Sequence, residues 1–267
     1  MRRGILPQDS NGLITLPNYI KIVKHKDELI NKIFNNLLIH KNLKQITDAD
    51  LLQKCVLTPR NDWVKEINDY IVNVLNENKN DNPIHTYESF DFATITSRTG
   101  KLELSYEYIH KWNPPKFPLN HLTFICNMPV IATRKFNHKV VNGTRLRILE
   151  LHEHVIKCKI ISDCKYTGDI IDITRQVATT SEEENYFILK RRQFPIIPAF
   201  GLTIDKSQGQ TITNNGIYLK TECFNHGQLY VALSRIRNTK FLYVFTSNGS
   251  NKIKNVVFKE LYVDINL

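Results

Sequence analysis

Lys206, Gln208, Gly209 and Arg235 are the residues whose types and spacing invite chemistry. Lys206 sits in a small, polar run, residues 203–211, where backbone amides, hydroxyls and an ammonium can meet a phosphate. Arg235 closes the string Tyr230-Val231-Ala232-Leu233-Ser234-Arg235. There Leu229, Leu233 and Ile236 recur at i, i+4, i+7, which predicts a helix with one apolar face. A guanidinium at the end of such a helix can project out of the domain. Residues 194–200, ahead of Lys206, are an apolar run short enough for a buried strand. Strand, phosphate-type turn and arginine-bearing helix together describe one wall of a nucleotide cleft.

Three strings fall in one order along the chain: Arg191-Arg192-Gln193-Phe194-Pro195, Lys206-Ser207-Gln208-Gly209-Gln210-Thr211, and the Tyr230 to Arg235 string. They resemble motifs V and VI, with the lead-in to V, of the Pif-type (petite integration frequency) DNA helicases of superfamily 1, Helitron transposon helicases included. The resemblance implies an α/β fold: a second RecA-like motor domain of the P-loop NTPase type, on a parallel sheet, with an inserted Src-homology-3-like β-barrel. It implies that ATP binds between two such domains and that opening and closing of the cleft moves them along one strand. In that scheme Arg235 is the catalytic arginine finger, and Gln208, Gly209 and Arg60 also approach nucleotide. Gly209 would be required because a side chain blocks close backbone approach. Thr203, Lys206 and Ser207 would face the phosphates of single-stranded DNA, as would Thr58 and Asn61 of motif IV and Asn142 and Arg145 of the insertion. Asp205 departs from the His or Asn of relatives, and a carboxylate beside phosphate weakens the grip. Outside the resemblance, a surface salt bridge is the other use for Arg235.

The elements that must position these residues can be placed in order. Residues 1–26 read as a linker from a first motor domain, ending in a short strand. Leu29, Ile30, Ile33, Phe34, Leu37 and Leu38 predict an amphipathic helix over Lys26–His40. Residues 55–57 predict a buried strand entering Thr58-Pro59-Arg60-Asn61, and residues 62–76 a helix capped by Asn61 or Asp62. That turn, with Ile67-Asn68, is similar to the family's motif IV, and a helix opening there offers free backbone donors. Residues 76–83 read as a loop, 86–91 as a strand, and 91–118 as irregular because of Pro114, Pro115 and Pro118. From residue 119 β-rich runs alternate: 124–133, Arg145–Leu151, 155–161 and Ile170–Thr174, with turn signals at Asn142-Gly143 and Thr167-Gly168. They predict a small barrel, residues 119–193, inserted into a motor domain of residues 27–118 and 194–267. Asn127-Met128 departs from the family's Gly-Ala. His152-Glu153-His154 reads as an exposed strand and not a metal site. Residues 240–245 predict a buried parallel strand, and 256–267 a final helix or arm.

The 267 residues carry a formal net charge of +10 with 42% hydrophobic residues. A basic balance suits a polyanion, although an AT-rich coding sequence also enriches Lys, Asn and Ile. The five cysteines have no paired spacing, which argues against a disulfide framework or structural zinc. No export signal or spanning stretch is visible, so a soluble intracellular protein is expected, nuclear if the host is eukaryotic. A phosphate loop needs Gly-Lys-Ser/Thr, whereas Gly100-Lys101 precedes Leu102 and Ile95 stands where the first glycine belongs. No acidic pair follows an apolar strand, since Asp27-Glu28 comes after Lys26. ATP and Mg2+ are therefore expected only with a first RecA-like domain, supplied in cis or trans. The first expectation is the carboxy-terminal half of an ATP-dependent 5′-to-3′ DNA helicase, inactive as an ATPase alone. The others are a non-catalytic single-stranded nucleic-acid-binding module, including a transposon or viral remnant, and an RNA-directed superfamily 1 helicase.

Overall fold

The computed structural model describes residues 7–9, 12–77, 83–95, 105–114, 117–180, 187–210, 212, 214–235 and 241–258. The chain begins in one compact unit, crosses into a second spanning Asn78–Pro198, and returns to the first at Ala199. The opening part contains β1 (Leu13–Thr15), β2 (Lys21–Val23), α1 (Lys26–His40), α2 (Asp48–Gln53), β3 (Lys54–Thr58) and α3 (Asn61–Asn76). The second unit holds β4 (His85–Glu88), β5 (Phe90–Ile95), α4 (Tyr106–Lys111), β6 (His121–Phe124), β7 (Pro129–Ala132) and β8 (Arg145–Leu151). It continues through β9 (Val155–Ile160), β10 (Ile170–Thr174), β11 (Gln176–Thr179), β12 (Phe187–Gln193) and β13 (Ile196–Pro198). The return adds β14 (Gly201–Thr203), β15 (Asn214–Leu219), α5 (Gln228–Ser234), β16 (Leu242–Thr246) and β17 (Lys252–Lys254).

The first unit is built on a five-stranded sheet ordered β14-β3-β15-β16-β2 in which every neighbouring pair is parallel. Cys55, Val56, Leu57, Ile217, Tyr218 and Leu219 are all buried, because strands covered on both faces read as continuous apolar runs. Helix α1 lays Leu29, Ile30, Ile33 and Leu37 inward, and Gly216 on β15 lets it approach. A Cβ on Gly216 would stand 3.1 Å from Leu29 Cδ1 and 3.2 Å from Ile33 Cγ1. Helix α3 covers β14 in the same way, with Ile67 against Gly201. Being an edge strand, β14 has backbone groups that β3 does not use. Asn68 closes them: the Gly201 amide donates to Asn68 Oδ1 (2.8 Å) and Asn68 Nδ2 donates to the Gly201 carbonyl (3.2 Å).

Several expectations shift. The single strand expected over 194–200 is divided between units. β13 pairs with β7, and only after Ala199-Phe200 does β14 join β3. Pro198, with no N–H, fits the edge position that β13 takes. Residues 13–23 are not a linker, since β2 edges the parallel sheet and β1 pairs with β17. Arg60, extended at φ −124° and ψ 147°, is the N-cap of α3 in place of Asn61 or Asp62 and supplies no side-chain cap bond. The strand expected over 86–91 breaks at buried Ser89, with β4 pairing β6 and β5 pairing β12. The segment 91–118, expected as irregular motor-domain chain, contains β5 and α4 and packs in the second unit. The tail expected from 256 onward gives no element through 258, and 259–267 lie outside the described residues.

The second unit carries a five-stranded antiparallel sheet, β10-β9-β8-β7-β13, with a bulge in β8 between Ile148 and Glu150. β8 and β10 fall where the sequence places them, whereas the run 124–133 holds only the last residue of β6, a turn with Asn127 at φ 68°, and β7. His152, Glu153 and His154 form the turn between β8 and β9, not a strand. A three-stranded sheet, β11-β12-β5, completes the unit with the β4-β6 pair.

Candidate functional site

The carboxyl edge of the parallel sheet gathers the residues expected to meet nucleic acid. β3 and β14 end side by side, Thr58 opposite Thr203, and the Ile204 amide donates to the Thr58 carbonyl (3.0 Å). Beyond Thr58, Arg60 and Asn61 are exposed at the start of α3, whose first amides receive no side-chain cap. Such amides carry the positive end of the helix dipole and suit an anion. Thr58 itself is fully buried, and Thr203 nearly so, with its Oγ1 accepting from the Lys206 amide (3.4 Å). Ser207 is fully buried and its hydroxyl donates to the Ile204 carbonyl (2.6 Å). The Thr203 and Ser207 hydroxyls bond within the turn, the Thr58 hydroxyl is buried without a partner among the described residues, and none of the three stands on the surface.

Lys206 is the cation of this edge. It lies in the 3-10 turn Asp205–Ser207, half-buried, and burial lowers its pKa. No carboxylate among the described residues offsets that loss of solvent. Asp205 is exposed, and its charge is felt at Cys223, where with burial it pushes the thiol up to about 12. The folded chain thus binds fewer protons than the unfolded one between the lowered lysine pKa and the ordinary value. This group's contribution therefore makes stability rise as pH rises through that window. Lys206→Met removes an uncompensated ammonium and is expected to raise the calorimetric melting temperature at neutral pH while weakening oligonucleotide binding. A lower melting temperature would show that an anionic partner holds the ammonium in the free protein.

From this turn the chain crosses to the opposite edge. Gln208 and Gly209 are exposed along the way. Gly209 has φ +83° with nothing within 4 Å of a built Cβ, so its backbone conformation, not crowding, requires glycine. The crossover reaches Ile212, whose amide donates to the Arg235 carbonyl (3.2 Å) two residues ahead of β15. Arg235 therefore lies at the amino edge, just past α5, which Leu229 and Ala232 anchor in the core. Its Nη2 donates to Ser234 Oγ (3.1 Å), while Nε is buried without an acceptor among the described residues. No carboxylate pairs with it among the described residues. Arg60, expected to share nucleotide with Arg235, is at the other edge, 3.9 Å from Asp62, and groups with Asn61.

In the second unit Asn142 is exposed in the turn before β8, but Arg145 is 1% exposed and cannot present its guanidinium. Its burial does not come from alternation: Arg145, Leu146, Arg147 and Ile148 are all buried, so this end of β8 is covered on both faces. Sequence reasoning missed Trp63. Its Nε1 donates to Thr221 Oγ1 (3.1 Å), and Lys220 Nζ sits 4.1 Å over the ring while also pairing with Glu66 (3.0 Å). The signal was an aromatic in the first turn of α3, off the stripe of Val64, Ile67 and Ile71. Among the described residues no cluster of three or more His, Cys, Asp or Glu is placed to hold a metal ion.

An all-parallel sheet flanked by helices, a phosphate-type turn after β14 and an arginine ending α5 fit a RecA-like α/β domain. No family model matches the chain. The ATP-dependent DNA helicase PIF1 of Candida albicans is 38% identical over 87 residues, covering 33% of this chain and 10% of that protein. The ATP-dependent DNA helicase Pif1 of Bdellovibrio bacteriovorus is 31% identical over 108 residues, 40% of this chain and 23% of its own length. The ATP-dependent DNA helicase PIF6 of Trypanosoma brucei is 24% identical over 201 residues, covering 74% of this chain and 24% of that protein. The matches thus span less than a quarter of each curated relative. The crystal structure of the Candida albicans Pif1 helicase superposes with a TM-score of 0.57 at 20% identity, over 90% of this chain and 58% of that one. A Bacteroides Pif1 helicase solved with ADP-AlF3 and single-stranded DNA gives 0.51 at 21%, over 90% and 53%. In sequence and in fold the chain is Pif1-like, and it corresponds to about half of those solved chains. No helix among the described residues is long and apolar enough to cross a membrane.

Proposed function

We propose that the chain is the carboxy-terminal motor half of an ATP-dependent DNA helicase that moves 5′ to 3′ along single-stranded DNA. The observation that carries this reading is Arg235: a guanidinium at the end of α5, with a buried Nε lacking an acceptor and no carboxylate partner among the described residues. A guanidinium left so is fitted to an anion with oxygens at two donor distances, as a transferring phosphoryl group presents. Lys206 and the uncapped start of α3 take the strand's phosphates at the opposite edge. The likeness to Pif1 DNA helicases supports both assignments, and the five-stranded sheet of the second unit is read as the Src-homology-3-like insertion.

The residues present fit the arginine side of a nucleotide site and not its cradle, because no Gly-Lys-Ser/Thr loop occurs in the 267 residues. A first RecA-like domain, in cis or in trans, would bring that loop, the magnesium ligands and the hydrolytic carboxylate. Bound ATP and Mg2+ supply the phosphoryl transfer; this chain's part is to place Arg235 against the developing charge and to hold the strand. The isolated chain is expected to show no ATPase above background, with or without DNA, in a phosphate-release assay. Fused to the first motor domain of a Pif1 helicase, it is expected to unwind a duplex bearing a 5′ tail and not one bearing a 3′ tail. Phosphate release by the isolated chain would sink the two-domain reading. Strand binding by a fusion that never hydrolyses ATP would favour the non-catalytic module.

A further inference from the structure

The three strands β11, β12 and β5 of the second unit form one antiparallel sheet whose faces differ sharply. Ala178, Arg191 and Asp91 make a cross-strand row that points inward and is buried. Alternation sends the next rows outward: Val177-Arg192-Phe90, then Thr179-Lys190-Phe92. Phe90 is 52% exposed, Phe92 66% and Val177 58%, and Lys190 and Arg192 are exposed beside them. Ile188 and Thr94 complete the outward positions of the three strands, which among the described residues carry two cations and no carboxylate. Arg175 adds a guanidinium 5.3 Å from the Phe90 ring, and Arg134 donates to the Val177 carbonyl (3.4 Å).

Phe90 and Phe92 hold apolar rings in water on a face that otherwise carries Val177, Ile188, Thr179 and the cations, with Arg175 over the Phe90 ring. Flat rings set beside lysine and arginine are, however, the two halves of a nucleic-acid grip: bases stack and phosphates pair. Positions i and i+2 lie about 6.8 Å apart along a strand, against about 3.4 Å per nucleotide in stacked DNA, so each ring serves a base of an extended strand. We propose that the outer face of β11-β12-β5 is a stacking platform for single-stranded nucleic acid, with Phe90 and Phe92 under the bases and Lys190 and Arg192 on the phosphates. The platform rests on the reading of the chain as a strand-binding motor half for its choice of polymer, and adds a site that Lys206 and α3 do not supply.

The test is fluorescence anisotropy of the full chain with labelled oligo(dT), comparing Phe90→Ala/Phe92→Ala and Lys190→Gln/Arg192→Gln with the parent. Each ring is expected to contribute on the order of ten-fold in affinity, with partial rescue by Phe92→Trp. Removing the cation pair is expected to lower the slope of log affinity on log salt by about 0.7 for each phosphate left unneutralised. Unchanged affinity in the phenylalanine variant overturns the platform and leaves the motor reading standing, and a change confined to self-association in sedimentation makes the face an interface between copies. Absence of any binding by the parent chain at low salt overturns both. Should a variant fail to fold, photocross-linking of 5-iodouracil DNA to the parent chain decides: adducts at Phe90 or Phe92 support the platform, and adducts only elsewhere overturn it.

Discussion

Joined to a first motor domain that carries the phosphate loop, the Arg235→Ala variant is expected to lose on the order of a thousand-fold in DNA-stimulated turnover. The size follows from where charge develops. A guanidinium aimed at the transferring group stabilises the transition state more than the ground state, so its loss falls on kcat. Arg235→Lys is expected to recover little, because an ammonium keeps the charge and loses the planar fork. Oligonucleotide affinity should stay near the parent value in both variants. Arg235 stands at the amino edge of the sheet, by Ile212, whereas Asn61 and Lys206 stand at the carboxyl edge. Turnover and affinity measured on one fused variant separate the outcomes. Unchanged turnover returns Arg235 to a structural role, and a collapse of affinity shows that the edges have been assigned to the wrong ligands.

Those edges are only partly legible in the sequence. Continuous apolar runs give away β3 and β16, and helical periodicity gives away α1 and α3, because burial on two faces or on one stripe leaves a period in the residue types. Arg235 is singled out by its motif string; of the apolar face expected at Leu229, Leu233 and Ile236, Leu229 is buried with Ala232, Leu233 is half-buried and Ile236 lies outside the described residues. The path between β14 and β15 is not legible, since direction across a sheet depends on strand pairing, which no local pattern encodes. Hence sequence reasoning groups Arg60 with Arg235, and the fold parts them. The resemblance implies Ser207, Thr58 and Arg145 as strand ligands, although each side chain is buried. Strand β12 escapes notice because its inward row, Phe187-Leu189-Arg191-Gln193, ends in two polar residues, so the alternation of a half-buried strand is disguised.

Arg191 shows what that disguise conceals, and its removal should produce the largest stability effect in the second unit. Its Nε and Nη2 each donate to the Asp91 carboxylate at 2.8 Å, on Oδ1 and Oδ2, and both side chains are fully buried. Nη1 donates to Asn113 Oδ1 (2.7 Å) and the Pro118 carbonyl (3.0 Å), and Nη2 also reaches the Trp112 carbonyl (3.0 Å). One guanidinium thus ties β12 to β5 and to the chain after α4, which explains why the motif string begins with arginine without invoking a ligand. A buried pair is weak evidence of net stabilisation, since desolvation offsets much of the attraction, but breaking one side leaves a charge with no partner. Asp91→Ala is therefore expected to cost about 3–5 kcal/mol, and the double change Asp91→Leu/Arg191→Met distinctly less than the two single losses added. With Trp63→Phe as background, Trp112 becomes the only indole and its packing on Phe187 (5.0 Å) makes its fluorescence a reporter of this unit in urea. Additive losses in that cycle would mean that Asp91 and Arg191 act separately. A loss under about 1 kcal/mol for Asp91→Ala would mean that the surrounding carbonyls hold the guanidinium without its carboxylate.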